Sequence, residues 1–291
     1  MKKLLTGLFL ASFAASLAAQ QGMPDKPRIQ KIPARGVAAA AELLAAGLAR
    51  TNGVTYQGGP VLIQARLVFL FWGPTFANAA SPDHTYATSL QSFRNQYGTS
   101  AEYNILTQYY QIVDGVKQYI ELTNLAAGTA DLFDTSTPPA SVTDADVQAE
   151  VAKYLKTHTF DSETIYSVVI PSTSYSSDEG EDSCGGPDLA YCAYHSSYSS
   201  GSSNVIYTIQ PYPSCSGCQV SGWTAAQNQD HFLVHETGDA VTDPLGTSWW
   251  DTRTGEEVEE MCAWSPPPFL SGGYGYQYQW SNATSSCVQL R

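Results

Sequence analysis

The apolar positions of this chain fall into short β-like runs separated by stretches of helical period. That pattern predicts a mixed α/β fold, with a central mixed sheet flanked by helices. After the turn signal Gly58-Gly59-Pro60, residues 61–72 are rich in Val, Leu and Phe and stop at Gly73-Pro74, as a core strand does. Residues 165–170 and 205–209 are β-branched runs, the first ended by Pro171, and residues 116–122 are strand-like. Residues 89–110 are helical in period and break at Gly98. Thr143 opens a helix to Leu155, with Asp144 and Asp146 in its first turn, where carboxylates complement the helix dipole. Thr224 and Gln227 form a capping-box pattern ahead of a helix to about Val241, which Thr242-Asp243-Pro244 stops. Tyr274, Tyr276, Tyr278 and Trp280 alternate with small or polar residues. They predict a strand with one aromatic face, either packed in the fold or offered to a sugar. Residues 172–204 are rich in Ser, Gly and acids and read as a loop.

The first residues form a separate unit. Lys2 and Lys3 precede an uncharged apolar stretch, and small residues follow at Ser16, Ala18 and Ala19. This is the pattern of a secretory signal over residues 1–19, too short to span a bilayer as a helix. Residues 20–56 hold Pro24, Pro27 and Pro33 and then an Ala-rich stretch. They read as a loose leader or linker with a marginal helix, leaving 57–291 as one domain. An exported protein, extracellular or periplasmic, follows. The six cysteines, Cys184, Cys192, Cys215, Cys218, Cys262 and Cys287, agree with export and read as disulfides. A zinc site on Cys215 and Cys218 lacks the second cysteine pair that it needs. Proximity along the chain suggests Cys184 with Cys192, Cys215 with Cys218, and Cys262 with Cys287.

Charge narrows the partners. There are 27 acids against 14 Lys and Arg, a net charge of −13, which disfavours nucleic acid and anionic membrane surfaces. Residues 157–252 hold no Lys or Arg but many acids. Carboxylates without cationic neighbours raise each other's pKa unless a metal ion or water relieves them. The run Asp178-Glu179-Gly180-Glu181-Asp182 reads as a solvated loop, with a Ca2+ site as the other reading, since calcium favours clustered oxygens.

The informative segment is His235-Glu236-Thr237-Gly238-Asp239 on the helix after Thr224. His235 and Asp239 are four residues apart and share a face, with His231 one turn earlier. Two ligands at this spacing, with a Glu after the first, is the layout of the H-E-x-x-H zinc helix, with Asp in place of the second His. The expected chemistry is a Zn2+ ion that lowers the pKa of a bound water, and Glu236 as the base that takes its proton. A third ligand is needed. Asp251, Glu256, Glu257, Glu259 and Glu260 follow the helix, and His195 is a more distant donor. No nucleophile elbow or phosphate-binding glycine loop is present.

Several blocks resemble a family of secreted bacterial proteins distantly similar to plant phosphate-induced, Exordium-type proteins. They are Gly58-Gly59-Pro60-Val61, Leu70-Phe71-Trp72-Gly73, the stretch 103–110, Cys192-Ala193-Tyr194-His195-Ser196, Trp280-Ser281-Asn282-Ala283 and Cys287-Val288. The closest blocks are His235-Glu236, the run 239–244 and the run 257–264. The bacterial members read H-E-x-x-E-x-x-T-D-P, so Asp239 stands where they have Glu. Glu257 matches the Glu of their later E-I-x-D-x-C block, and Glu260 stands at its Asp. The resemblance implies a zincin-like fold and metal ligation by His235, Asp239 and Glu257 or Glu260. The activity it implies is that of a metallopeptidase acting on protein or peptide. The plant relatives imply the alternative, a non-catalytic extracellular or cell-surface binding protein with a structural or vestigial metal site.

Overall fold

The computed structural model describes residues 29–37, 53–128 and 130–291. The signal-like residues 1–19 and the Ala-rich stretch lie outside the described residues. Six strands form the central sheet: β1 (Gln30–Pro33), β2 (Arg66–Trp72), β3 (Leu132–Asp134), β4 (Thr164–Ile170), β5 (Tyr191–Ser200) and β6 (Ser203–Pro211). Their order is β1-β5-β6-β4-β2-β3. The β6-β4-β2-β3 pairs are parallel, while β5 runs antiparallel to both β1 and β6. The mixed sheet expected from the sequence is therefore present, and its strands at 66–72, 164–170 and 203–211 match the apolar runs.

Side chains alternate across this sheet as the two-residue period requires. Val68, Leu70, Tyr166, Val168, Ile170, Tyr194 and Tyr207 pack on one face, with Val147, Val151 and Tyr154 of α2 (Asp144–Leu155). Leu67, Phe69, Phe71, Ile165, Val169 and Ile206 face the other side. There they meet α1 (Pro82–Tyr97) and α3 (Ala225–Thr242). Both helix starts hold: the capping box expected at Thr224 and Gln227 forms, and Thr143 caps its helix in a second box, with Asp146. The helical pattern near residue 89 starts earlier, at Pro82 behind the Ser81 cap, and stops at Gly98; a separate 3-10 helix covers Tyr103–Gln108.

Three expectations are corrected. The loose leader contributes β1, which pairs its Gln30–Pro33 with 191–195 of β5. The loop expected over 172–204 contains β5, the strand next to that edge. Its serines are compatible with burial because backbone pairing satisfies the strand and Ser176 and Tyr191 bond each other at 2.9 Å. The disulfides join Cys184 to Cys215, Cys192 to Cys218 and Cys262 to Cys287. Proximity along the chain gave only the last. The first two fail because the turn Ser216–Cys218 is folded back against β5, which brings Cys218 to Cys192.

The acidic run also gains a partner from afar. Lys31 of β1 lies 2.8 Å from Asp178 and 2.9 Å from Glu181, two carboxylates that have no cation near them in sequence. Asp182 accepts the Asp188 N–H at 3.1 Å. The described helices include none long and apolar enough to cross a membrane.

Candidate metal centre

α3 is unusual for a helix of its composition. Every residue from Asn228 to Thr242 is buried, including Gln229, Asp230, His231, His235, Glu236 and Asp239. Buried polar groups must find partners. On the sheet side they do: Thr208 donates to Ser167 at 2.8 Å, Gln229 donates to Gln210 at 2.5 Å, and Tyr86 donates to Gln229 at 2.8 Å. His195 projects from β5 into this same polar layer, beside Thr208 in register. On the opposite side lies the 3-10 segment Glu260–Cys262 with the residues before it. The hairpin around Tyr274–Tyr276 packs against α3 as well.

The carboxylates and imidazoles converge between these elements. Glu236 Oε2 sits 3.1 Å from His195 Nδ1, so the ring N–H donates to the carboxylate. His195 Nε2 is thereby left facing Glu257 Oε2 at 3.2 Å. His235 is held in the same manner: its Nδ1 lies 3.1 Å from Gln277 Oε1. The amide orientation is fixed because Gln277 Nε2 donates to Glu259 Oε2 at 2.5 Å. His235 Nε2 then points toward Asp239 Oδ2 at 3.5 Å and Glu260 Oε1 at 3.4 Å. A histidine whose Nδ1–H is tied to an acceptor presents Nε2 as a fixed ligand atom.

The inward atoms share one property. His235 Nε2, Asp239 Oδ2, Glu236 Oε1, Glu257 Oε2, Glu259 Oε1 and Glu260 Oε1 are buried and form no hydrogen bond. Donors sharing one ion at about 2.0–2.2 Å in a tetrahedral set stand about 3.3–3.6 Å apart. The observed separations at His235 match that spacing. His235, Asp239 and Glu260 each offer a ligand atom within 4.8 Å of the others, and so do His195, Asp239 and Glu257.

Electrostatics reinforce the picture. The ion pairs that the described residues make at these carboxylates are with imidazoles alone. Burial pushes Asp239 well above the usual carboxylate range, and repulsion from Glu260, Glu257 and Glu259 adds to it. Burial likewise raises Glu236, Glu257 and Glu259. Glu260 is the exception: burial raises it, but the facing His235 outweighs that and lowers it. Burial alone would lower His195, but Glu257 and Glu236 hold it well above an ordinary imidazole. A cluster so rich in negative charge has high affinity for cations, whether protons or metal ions.

Gly238 has a physical role here. A Cβ at this position would run into the Glu259 side chain, with Cγ and Cδ only 2.6 Å away. A glycine in a helix interior costs about 1 kcal/mol relative to Ala, but here it is what lets the 257–260 segment close over the helix.

Not every expected ligand joins the centre. His231 Nε2–H donates at 3.2 Å to Gln277 Oε1 and Ala263 O, and it supports the amide instead of facing the cluster. Burial, then His235, pushes it down to about 3, so it stays neutral. Asp251 is bound up with Arg253 at 2.8 Å, and Glu256 bonds Thr254. Gln277 was not legible as part of the site. Its only signal is its place between Tyr276 and Tyr278; the single strand expected over 274–280 is broken there into Tyr274–Tyr276 and Gln279–Ser281. A cavity of about 280 Å³ lined by Arg66, Tyr154, Asp161 and Tyr166 shares no residue with the centre.

No family model matches the chain, and neither a curated protein nor a solved structure matches it.

Proposed function

We propose that this is an exported metal-dependent hydrolase, a peptidase by the layout of its helix, with the ion held by His235, Asp239 and Glu260. The observation that supports it is the convergence of three buried ligand atoms without hydrogen bonds, from two elements, with His235 at tetrahedral spacing from both carboxylates. A mixed imidazole and carboxylate set suits Zn2+ among the first-row ions. Bound there, such an ion supplies Lewis acidity and lowers the pKa of a water.

The chain's own residues have these parts. Gln277 orients the His235 ring, and the Glu259 N–H steadies Asp239 through a 2.8 Å bond to Oδ1. Glu236 keeps Oε1 free while His195 holds Oε2, so one oxygen remains to accept a proton from the attacking water. Glu260, with a side chain 12% exposed, marks the side on which the centre approaches solvent. Export is supported by the signal-like N-terminus and by the three disulfides.

A second reading rests on one observation. His235, Glu236 and Asp239 have no solvent-accessible surface. An ion enclosed in this way would pin α3 to the 257–260 segment in a non-catalytic extracellular protein. Metal analysis followed by peptidase assays on wild type and Glu236→Gln separates the readings. A catalytic base predicts bound metal in both and at least a hundredfold loss of turnover in the variant. Stoichiometric metal with no activity in either protein selects the structural reading.

A further inference from the structure

We infer that the centre holds two divalent ions, not one, with Asp239 as the carboxylate they share. This rests on the metal-binding reading above and extends it to His195 and Glu257. The geometry is a duplicate. One half consists of His235 with Glu260, and the other of His195 with Glu257. Asp239 belongs to both groups of ligand atoms, each of which lies within 4.8 Å of the other atoms in its group.

The second half has the same construction as the first. The His195 Nδ1–H is tied to Glu236, as that of His235 is tied to Gln277, and each leaves Nε2 turned inward. Glu257 Oε2 lies 3.2 Å from His195 Nε2, yet it accepts no hydrogen bond. That separation is close to the spacing of two donors on one tetrahedral ion. His195 and Glu257 are 2% and 1% exposed. The backbone binds the halves together: Glu257 N–H donates to Glu260 Oε2 at 3.1 Å, which fixes the two glutamates relative to each other.

Charge gives an independent argument. Five carboxylates, Glu236, Asp239, Glu257, Glu259 and Glu260, are gathered around two imidazoles, and among the described residues their ion pairs are with those rings. One divalent ion offsets two of the five negative charges. Two ions offset four, which fits a buried site far better. Glu236 acquires a positioning part in this arrangement, since it sets the ring that serves the second ion.

The test is metal stoichiometry on the full chain, stripped with a chelator and then reloaded with Zn2+ or Mn2+. Elemental analysis and calorimetry should give two equivalents for wild type. Glu257→Gln and Glu260→Gln should each retain one, and Asp239→Asn should bind the remaining ions more weakly. Ions sharing a carboxylate in such centres stand about 3.5–4 Å apart. The Mn2+-loaded protein should therefore show an exchange-coupled electron paramagnetic resonance spectrum, and Glu257→Gln the six lines of an isolated ion. Circular dichroism and the melting curve show that each variant is folded; if Glu257→Gln does not fold, His195→Gln takes its place. One equivalent in wild type, lost in Glu260→Gln and kept in Glu257→Gln, overturns the two-ion proposal and leaves the single-ion reading standing. Two equivalents without magnetic coupling overturn the shared carboxylate. No bound metal at all overturns the hydrolase reading itself.

Discussion

Gly238 and Asp230 show how single residues of α3 are constrained by what closes over the helix. In an open helix Gly238→Ala would gain about 1 kcal/mol from propensity. Here the added methyl group meets Glu259, and overpacking costs about 1–3 kcal/mol. Urea unfolding should show the alanine variant to be the less stable, and its metal affinity should fall because Glu259 holds Gln277 and Asp239. Asp230 is a different case. Burial pushes its carboxyl up to about 8, with a Gly275 N–H bond at 3.4 Å as weak compensation. The folded state thus retains a proton that the unfolded chain releases near pH 4. The stability it contributes is full below about pH 4 and is lost as pH rises toward 8. Asp230→Asn should therefore gain on wild type as pH increases over that window, when both are melted in chelator. Equal melting curves at pH 5 and pH 8 would contradict this.

The elements differ in how legible they are. α3 could be read in full, since Thr224 and Gln227 mark its start and Asp243-Pro244 its end. Thr224→Ala should remove the cap bond to the Gln227 N–H and cost about 1 kcal/mol of stability, seen as a fall in melting temperature with metal stoichiometry unchanged. The ligands on that helix were legible for the same reason: a four-residue spacing needs only local geometry. β5 was not legible. Tyr191–Ser200 contains four serines, whose intrinsic preference is for turns, and only its pairing with β1 and β6 makes it a strand. His195 could be noted as a donor, but its position in the cluster depends on that pairing. The same holds for Gln277 and for the choice among Glu256, Glu257, Glu259 and Glu260. Those residues are sorted by the path of a segment with little regular structure, and that path depends on Gly238 and on a disulfide.

For the whole molecule, the disulfides divide the labour. Cys184–Cys215 and Cys192–Cys218 fasten the region around β5, while Cys262–Cys287 fastens the 257–262 segment to the C-terminal hairpin. The last closes a separation of 25 residues, and a loop of that order contributes about 3–4 kcal/mol. Replacing Cys262 and Cys287 together with serine should lower the melting temperature and weaken metal binding, because Glu260 is two residues away. The same replacement at Cys184 and Cys215 should lower the melting temperature alone. Metal itself should stabilise the fold in proportion to the logarithm of its free concentration. Melting curves with and without excess chelator measure that gain, and the gain should shrink in acid as protons compete for the ligands.

Lys31 sits on the outermost strand and reaches two acids nearly 150 positions away. A maturation protease that cut beyond Pro33 would strip the sheet of its rim in the same stroke. The exposed backbone of Tyr191–His195 would then be free to recruit a foreign strand, and two carboxylates would lose their counter-charge. The N-terminal segment therefore sets a limit on trimming: any processing compatible with a monodisperse product has to stop before Gln30.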